Sequence, residues 1–177
     1  MRSFISLLNK LLLSQTMAKI LNLLKSLKTI FWVKKAKKNL FNLVIVLNNF
    51  VGILKQIQSY NGISRLTIEI GDETISVLLV EELSLELIGQ NLELCFKETN
   101  VLVALRIEGV GNSFCSKIVE IQEDELFARI ILESHLAKNG NITALVSLDF
   151  INQNALKIGS EVFWHISENE IMLLGVG

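Results

Sequence analysis

Lys97 is the only cation between Arg65 and Arg106, and short polar runs interrupt the apolar chain before and after it, at Asn48-Asn49, Asn112-Ser113, Ser116 and Ser147. Amide and hydroxyl donors beside a cation suit an anion. A tetrahedral dianion needs several convergent N–H or O–H groups, one or two positive charges, and a pocket that limits water. Loop asparagines also serve as turn formers, so these positions carry two readings. A second basic cluster, Lys28, Thr29, Lys34, Lys35, Lys37 and Lys38, surrounds Trp32. Lysines at that density suit the phosphates of DNA.

Other chemistries find little support. Cys95, Cys115, His135 and His165 match no zinc-ligand spacing and sit in apolar runs, so they read as core or ordinary residues rather than metal ligands. Two cysteines make no disulfide framework, which points to a reducing cytoplasm. There is no glycine-rich phosphate loop, no paired His/carboxylate motif and no nucleophile elbow, so the chain does not read as an enzyme. Glu81-Glu82 and Glu123-Asp124-Glu125 read as solvated loop charges, and Phe163 and Trp164 as core or interface.

The elements that would position these residues fall into two textures. Residues 1–68 hold 11 Lys+Arg and no acid, whereas residues 69–177 hold 6 Lys+Arg and all 18 acids. Such a split suggests a basic head that meets a polyanion. Apolar residues at helical spacing, Leu7, Leu8, Leu11 and then Met17, Ile20, Leu21, Leu24, predict helices there, with Ser14 and Ser26 as caps. The lysines that interrupt them argue against a signal peptide. The densest apolar run, Leu40 to Val46, falls far short of the ~20 residues of a spanning helix, so no stable membrane insertion is expected.

From about Leu40 short β-branched segments alternate with turn residues. Asn61-Gly62 is a two-residue hairpin signal, and Gly71-Asp72 marks a second turn. A repeat then organises the chain. Asn48-Asn-Phe-Val-Gly52 recurs as Asn112-Ser-Phe-Cys-Ser116, 64 residues later; Ile75–Val80 recurs as Ile142–Ser147; Leu87-Ile-Gly89 recurs as Lys157-Ile-Gly159, 70 residues later. Each glycine is followed by a strand, a polar turn and a last strand. A unit of ~65 residues with five or six strands is one small barrel.

This unit resembles the molybdate-binding Mop, or TOBE, domain. The Asn end of that family's opening motif fits Asn48…Gly52-Ile53 and Asn112…Ser116…Ile118, its Leu-x-x-Gly-x-x-Val segment fits Ile75–Leu92 and Ile142–Val162, and its terminal Lys-Ala-x-x-Val fits Lys97-Glu-Thr-Asn-Val101. Tandem units of this kind occur in ModE-type molybdate-responsive transcription regulators. The run Ser26-Leu-Lys28-Thr29-Ile-Phe-Trp32 is similar to part of their DNA-binding helix-turn-helix, without its wing. The resemblance implies a mainly β fold: an N-terminal helical segment (1–45) and two tandem OB-like barrels (46–106 and 110–177). It implies molybdate or tungstate as ligand, Lys97 as its cation, DNA as a partner and a homodimer. The family's binding Ser and Arg are replaced by Ile45 and Leu47 in one unit and by Gly109 and Gly111 in the other. Its later Thr and Ser are replaced by Val80 and Leu83, while Ser147 keeps a hydroxyl. Asn48, Asn49, Asn112, Ser113 and Ser116 are then the replacement donors. Two alternatives stay open: a molybdate store without DNA binding, and a peripheral membrane protein with a basic amphipathic head.

Overall fold

A computed structural model describes residues 45–176. The helices expected before residue 45, and the DNA-contact residues Lys28, Thr29, Lys34, Lys35, Lys37 and Lys38, lie outside the described residues. The described chain is mainly β. Its strands are β1 (Leu47–Tyr60), β2 (Ile63–Ile70), β3 (Glu73–Leu79), β4 (Asn91–Lys97), β5 (Leu102–Ala104), β6 (Ser113–Glu123), β7 (Phe127–Glu133), β8 (Asn141–Ser147), β9 (Glu161–His165) and β10 (Met172–Val176), with one short helix α1 (Leu148–Gln153). No helix among the described residues is long and apolar enough to cross a membrane.

The alternation of apolar residues sets which face each strand buries, and a bulge switches it. Along β1 the even positions Asn48, Phe50, Gly52 and Leu54 are buried, but Ile57 is the next buried residue. The register with β2 shifts between Leu54 and Gln56, so one extra residue turns the strand over and bends it. The first half of β1 therefore pairs with β4 and the second half with β2. At the bend the strands approach closely: a Cβ on Gly52 would lie 2.7 Å from the Glu69 carbonyl oxygen. β6 repeats the device, with its shift between Ile118 and Glu120.

The glycine motifs lock onto these bulges. Gly89 donates to the Leu54 carbonyl (2.8 Å) and Gly159 to that of Ile118 (2.7 Å). Both glycines have positive φ, 90° and 88°, where a side chain would be strained.

The strands form two five-stranded sheets, ordered β10-β4-β1-β2-β3 and β5-β9-β6-β7-β8. The last strand of each sequence repeat has crossed to the other sheet. β5 pairs with β9 and β10 pairs with β4. Sheet membership thus differs from the sequence ranges 46–106 and 110–177 by one reciprocal strand exchange. The two barrels share one continuous apolar core. An aromatic series runs through it: Phe50 to Phe96 at 4.9 Å, Phe96 to Trp164 at 6.4 Å and Trp164 to Phe114 at 4.7 Å between ring centroids.

Candidate functional site

The two asparagines of the repeated motif reach across from one repeat to the other. β3 and β8 end their sheets, and an edge strand leaves outward N–H and C=O groups unpaired. Asn112 takes both such groups of Ser76 on β3. Its Oδ1 accepts from the Ser76 N–H (2.8 Å) and its Nδ2 donates to the Ser76 carbonyl (2.7 Å). Asn48 does the same to Thr143 on β8, at 2.7 and 2.9 Å. Both side chains are buried. Their amides are engaged with backbone, and each stands in for a missing strand.

A pair of Arg–Glu contacts repeats the same reciprocity. Arg129 on β7 binds Glu98, in the turn after β4, through Nε to Oε2 (2.5 Å) and Nη2 to Oε1 (2.7 Å). The Val46 N–H also donates to Glu98 Oε1. Arg65 on β2 binds Glu168, in the turn after β9, at 2.8 and 2.7 Å. The environments differ. The Glu98 and Arg129 side chains are 3% and 13% exposed, those of Arg65 and Glu168 46% and 30%. The hydrogen bond from Arg65 holds the Glu168 carboxyl below the usual carboxylate range, and Glu168 in turn raises the Arg65 guanidinium.

Lys97 stands directly before Glu98. It is exposed and makes no ion pair among the described residues. Opposite it on β1 is Leu47, and Asn49 is opposite Cys95. Directly opposed residues point to one side of a sheet, so Asn49 and Lys97 are diagonal neighbours on one face. Cys95 between them is buried, and burial pushes its thiol upward. In the second repeat Ser113 opposes His165, and the 70-residue sequence offset sets Ser167 against Lys97.

The remaining candidates serve locally. Ser116 accepts a hydrogen bond from the Trp164 indole N–H (3.0 Å). Ser147 caps α1 by accepting from the Phe150 N–H (3.2 Å). Two open grooves lie on the surface. The larger, about 500 Å³, is lined by Cys115, Ser116, Lys117, Ser134, His135 and the acids Glu133 and Glu161. The smaller, about 240 Å³, includes Asn49, Glu93, Lys138 and Leu174. Neither contains Lys97. Among the described residues no three His, Cys, Asp or Glu side chains converge on a point suited to a metal ion.

The structure therefore brings Asn49 and Lys97 together, places Ser113 at the equivalent point of the other repeat, and employs Asn48, Asn112, Ser116 and Ser147 in backbone or side-chain bonds. The Arg–Glu contacts were not anticipated from the sequence. The repeat held their only signal, since Arg65 and Arg129 share the 64-residue offset and Glu98 and Glu168 the 70-residue one.

No family model matches the sequence, and no curated protein matches it. Among solved structures it is similar to that of ModG, a cytoplasmic molybdate-binding protein in a form with molybdate bound. The two share 18% identity at a TM-score of 0.60, over 71% of this chain and 94% of ModG. At that identity the likeness is one of fold, and the described domain has the Mop-type β fold of ModG.

Proposed function

We propose that this domain binds a tetrahedral oxyanion, molybdate or tungstate. The observation that carries the reading is the fold shared with nearly the whole of ModG, a molybdate-binding protein. Lys97 supports it. This lysine is a cation with no carboxylate partner among the described residues, a property it shares with Lys117 and Lys157, and such a charge attracts a dianion. Asn49 on the same face adds an amide donor, and strand-end N–H groups add more.

In the fuller form of this proposal the protein is a cytoplasmic, molybdate-responsive DNA-binding regulator. Lys28, Thr29, Lys34, Lys35, Lys37 and Lys38 contact phosphates, and the chain acts as a homodimer. Exposed apolar residues on β1 and β10, among them Leu47, Ile53, Met172, Leu174 and Val176, favour self-association. The second reading is a molybdate store without DNA binding. The likeness favours it, because the protein taken in at 94% of its length is a molybdate-binding protein.

Calorimetric titration of the full chain with molybdate, tungstate and sulfate tests the ligand. Heat with molybdate or tungstate is expected, and its absence for all three refutes the reading. A salt-dependent DNA mobility shift separates the regulator from the store.

A further inference from the structure

The second repeat has no lysine where the first has Lys97. The 64- and 70-residue offsets place Ser113 at Asn49, His165 at Cys95 and Ser167 at Lys97. The strand register agrees, since Asn49 opposes Cys95 and Ser113 opposes His165. What replaces the fixed charge is an imidazole between two hydroxyls.

The hydrogen bonds fix the state of that imidazole. His165 Nδ1 lies 2.9 Å from the Gly111 carbonyl oxygen and 3.4 Å from Ser113 Oγ, and Nε2 lies 3.5 Å from Ser167 Oγ. A carbonyl only accepts, so Nδ1 carries the hydrogen. In the neutral ring Nε2 is then an acceptor, and the Ser167 hydroxyl turns its proton inward to it. This arrangement offers an anion nothing. Protonation reverses the Nε2 side of it, while Nδ1 and the Ser113 hydroxyl both stay on the Gly111 carbonyl. Nε2 becomes a donor, the Ser167 hydroxyl is released to donate outward, and the cluster gains a positive charge.

We propose that Ser113, His165 and Ser167 form a second oxyanion site that opens when His165 is protonated, a proton-gated counterpart of the Lys97 position. It rests on the oxyanion reading above and takes the same class of ligand. The flanking strands bring no charge opposite the ring: β5 contributes Leu102 and β6 contributes Ser113. The carboxylates of the following turn are already engaged, Glu168 by Arg65 and Glu170 by the Asn100 amide. A dianion at the site favours the imidazolium, so binding takes up a proton.

The test is titration of the full chain with dilute molybdate at about pH 8 and about pH 6, in buffers of differing ionisation enthalpy. One anion per chain is expected at the higher pH and two at the lower, the second with proton uptake. His165→Gln is expected to hold the count at one, and His165→Lys to give two at both pH values. Lys97→Ala should leave only the pH-dependent anion, and His135→Gln should change nothing. Should a variant fail to fold, the imidazole signals of the unmodified protein serve instead, because molybdate must raise the titration midpoint of His165. A count that is the same at both pH values, a proton-linked second anion that persists in His165→Gln, or a His165 midpoint that molybdate leaves unmoved overturns this inference while the oxyanion reading stands. No molybdate bound at either pH overturns both.

Discussion

Replacing Asn112 by alanine removes two hydrogen bonds and leaves the N–H and C=O of Ser76 facing outward from an edge strand. Each lost bond costs about 1 kcal/mol, and an unsatisfied, partly buried backbone group adds about 1–3 kcal/mol where water cannot reach it. Because Ser76 is half-exposed, the lower end applies, and the pair contributes roughly 2–4 kcal/mol. Asn112 also has a φ of 49°. Alanine pays roughly 1–2 kcal/mol there, a cost asparagine partly avoids by local hydrogen bonding. Asn48 makes the same two bonds to Thr143 but has no positive φ. Asn112→Ala should therefore cost about 1 kcal/mol more than Asn48→Ala, and Asn112→Gly should recover that difference. At a urea slope of about 1–3 kcal/mol/M, a 3 kcal/mol loss lowers the unfolding midpoint by about 1–3 M. Urea titration followed by circular dichroism measures it. A midpoint unmoved in Asn112→Ala, or a larger loss in Asn48→Ala, would refute the argument that these amides replace a strand.

The two Arg–Glu contacts should respond differently to loss of a partner. Arg129→Met leaves the buried Glu98 carboxylate without its cation and should cost about 3–5 kcal/mol, whereas Arg65→Met should barely move the urea midpoint, because an exposed pair contributes little. Glu168 has a folded-state pKa depressed by Arg65, so its stabilisation is present above the unfolded carboxylate value of about 4.3 and is lost as pH falls through the lower folded value. Melting temperatures should accordingly fall less steeply below about pH 5 in Glu168→Gln than in the unmodified protein, and parallel curves would contradict the linkage. Lys97→Ala should weaken molybdate binding about ten- to a hundred-fold, the loss of one charge-assisted bond of about 1.5–3 kcal/mol, with little change in melting temperature. Lys157 is the suitable control for this charge, since Lys138 borders the groove beside Asn49 and lies 3.5 Å from Glu93; calorimetry showing equal effects from Lys97→Ala and Lys157→Ala would show that Lys97 has no local role.

Local signals in the sequence carried most of the strands. Asn61 and Gly62 both have positive φ, as a two-residue hairpin of their type requires. The polar turns after Phe96 and Ile166 are single 3-10 turns at Glu98–Asn100 and Glu168–Glu170. What a local pattern cannot state is which sheet a strand joins. β5 follows β4 after one short turn, and that turn is held to the other repeat by Arg129 on Glu98. That contact joins residues about 30 apart in the chain and is invisible to periodicity. The site was legible to a similar degree. The repeat brought out Asn48 and Asn112, but residue type alone could not distinguish an amide offered to a ligand from one spent on an edge strand. The exchange of Lys97 for Ser167, with His165 beside it, was present in the same alignment and acquired meaning only with the hydrogen bonds around the ring.

The crossed strands also impose an order on biosynthesis. As the chain leaves the ribosome, β1 to β4 emerge together, yet the strand that covers β4 comes from residues 172–176, after the whole second repeat. Until then the edge of β4 that β10 covers, from Leu92 to Cys95, is open. Half-made chains therefore expose a strand edge ready to capture the β10 of a copy already completed. The same crossing that joins two repeats into one body gives a nascent chain a route to take a strand from a finished one.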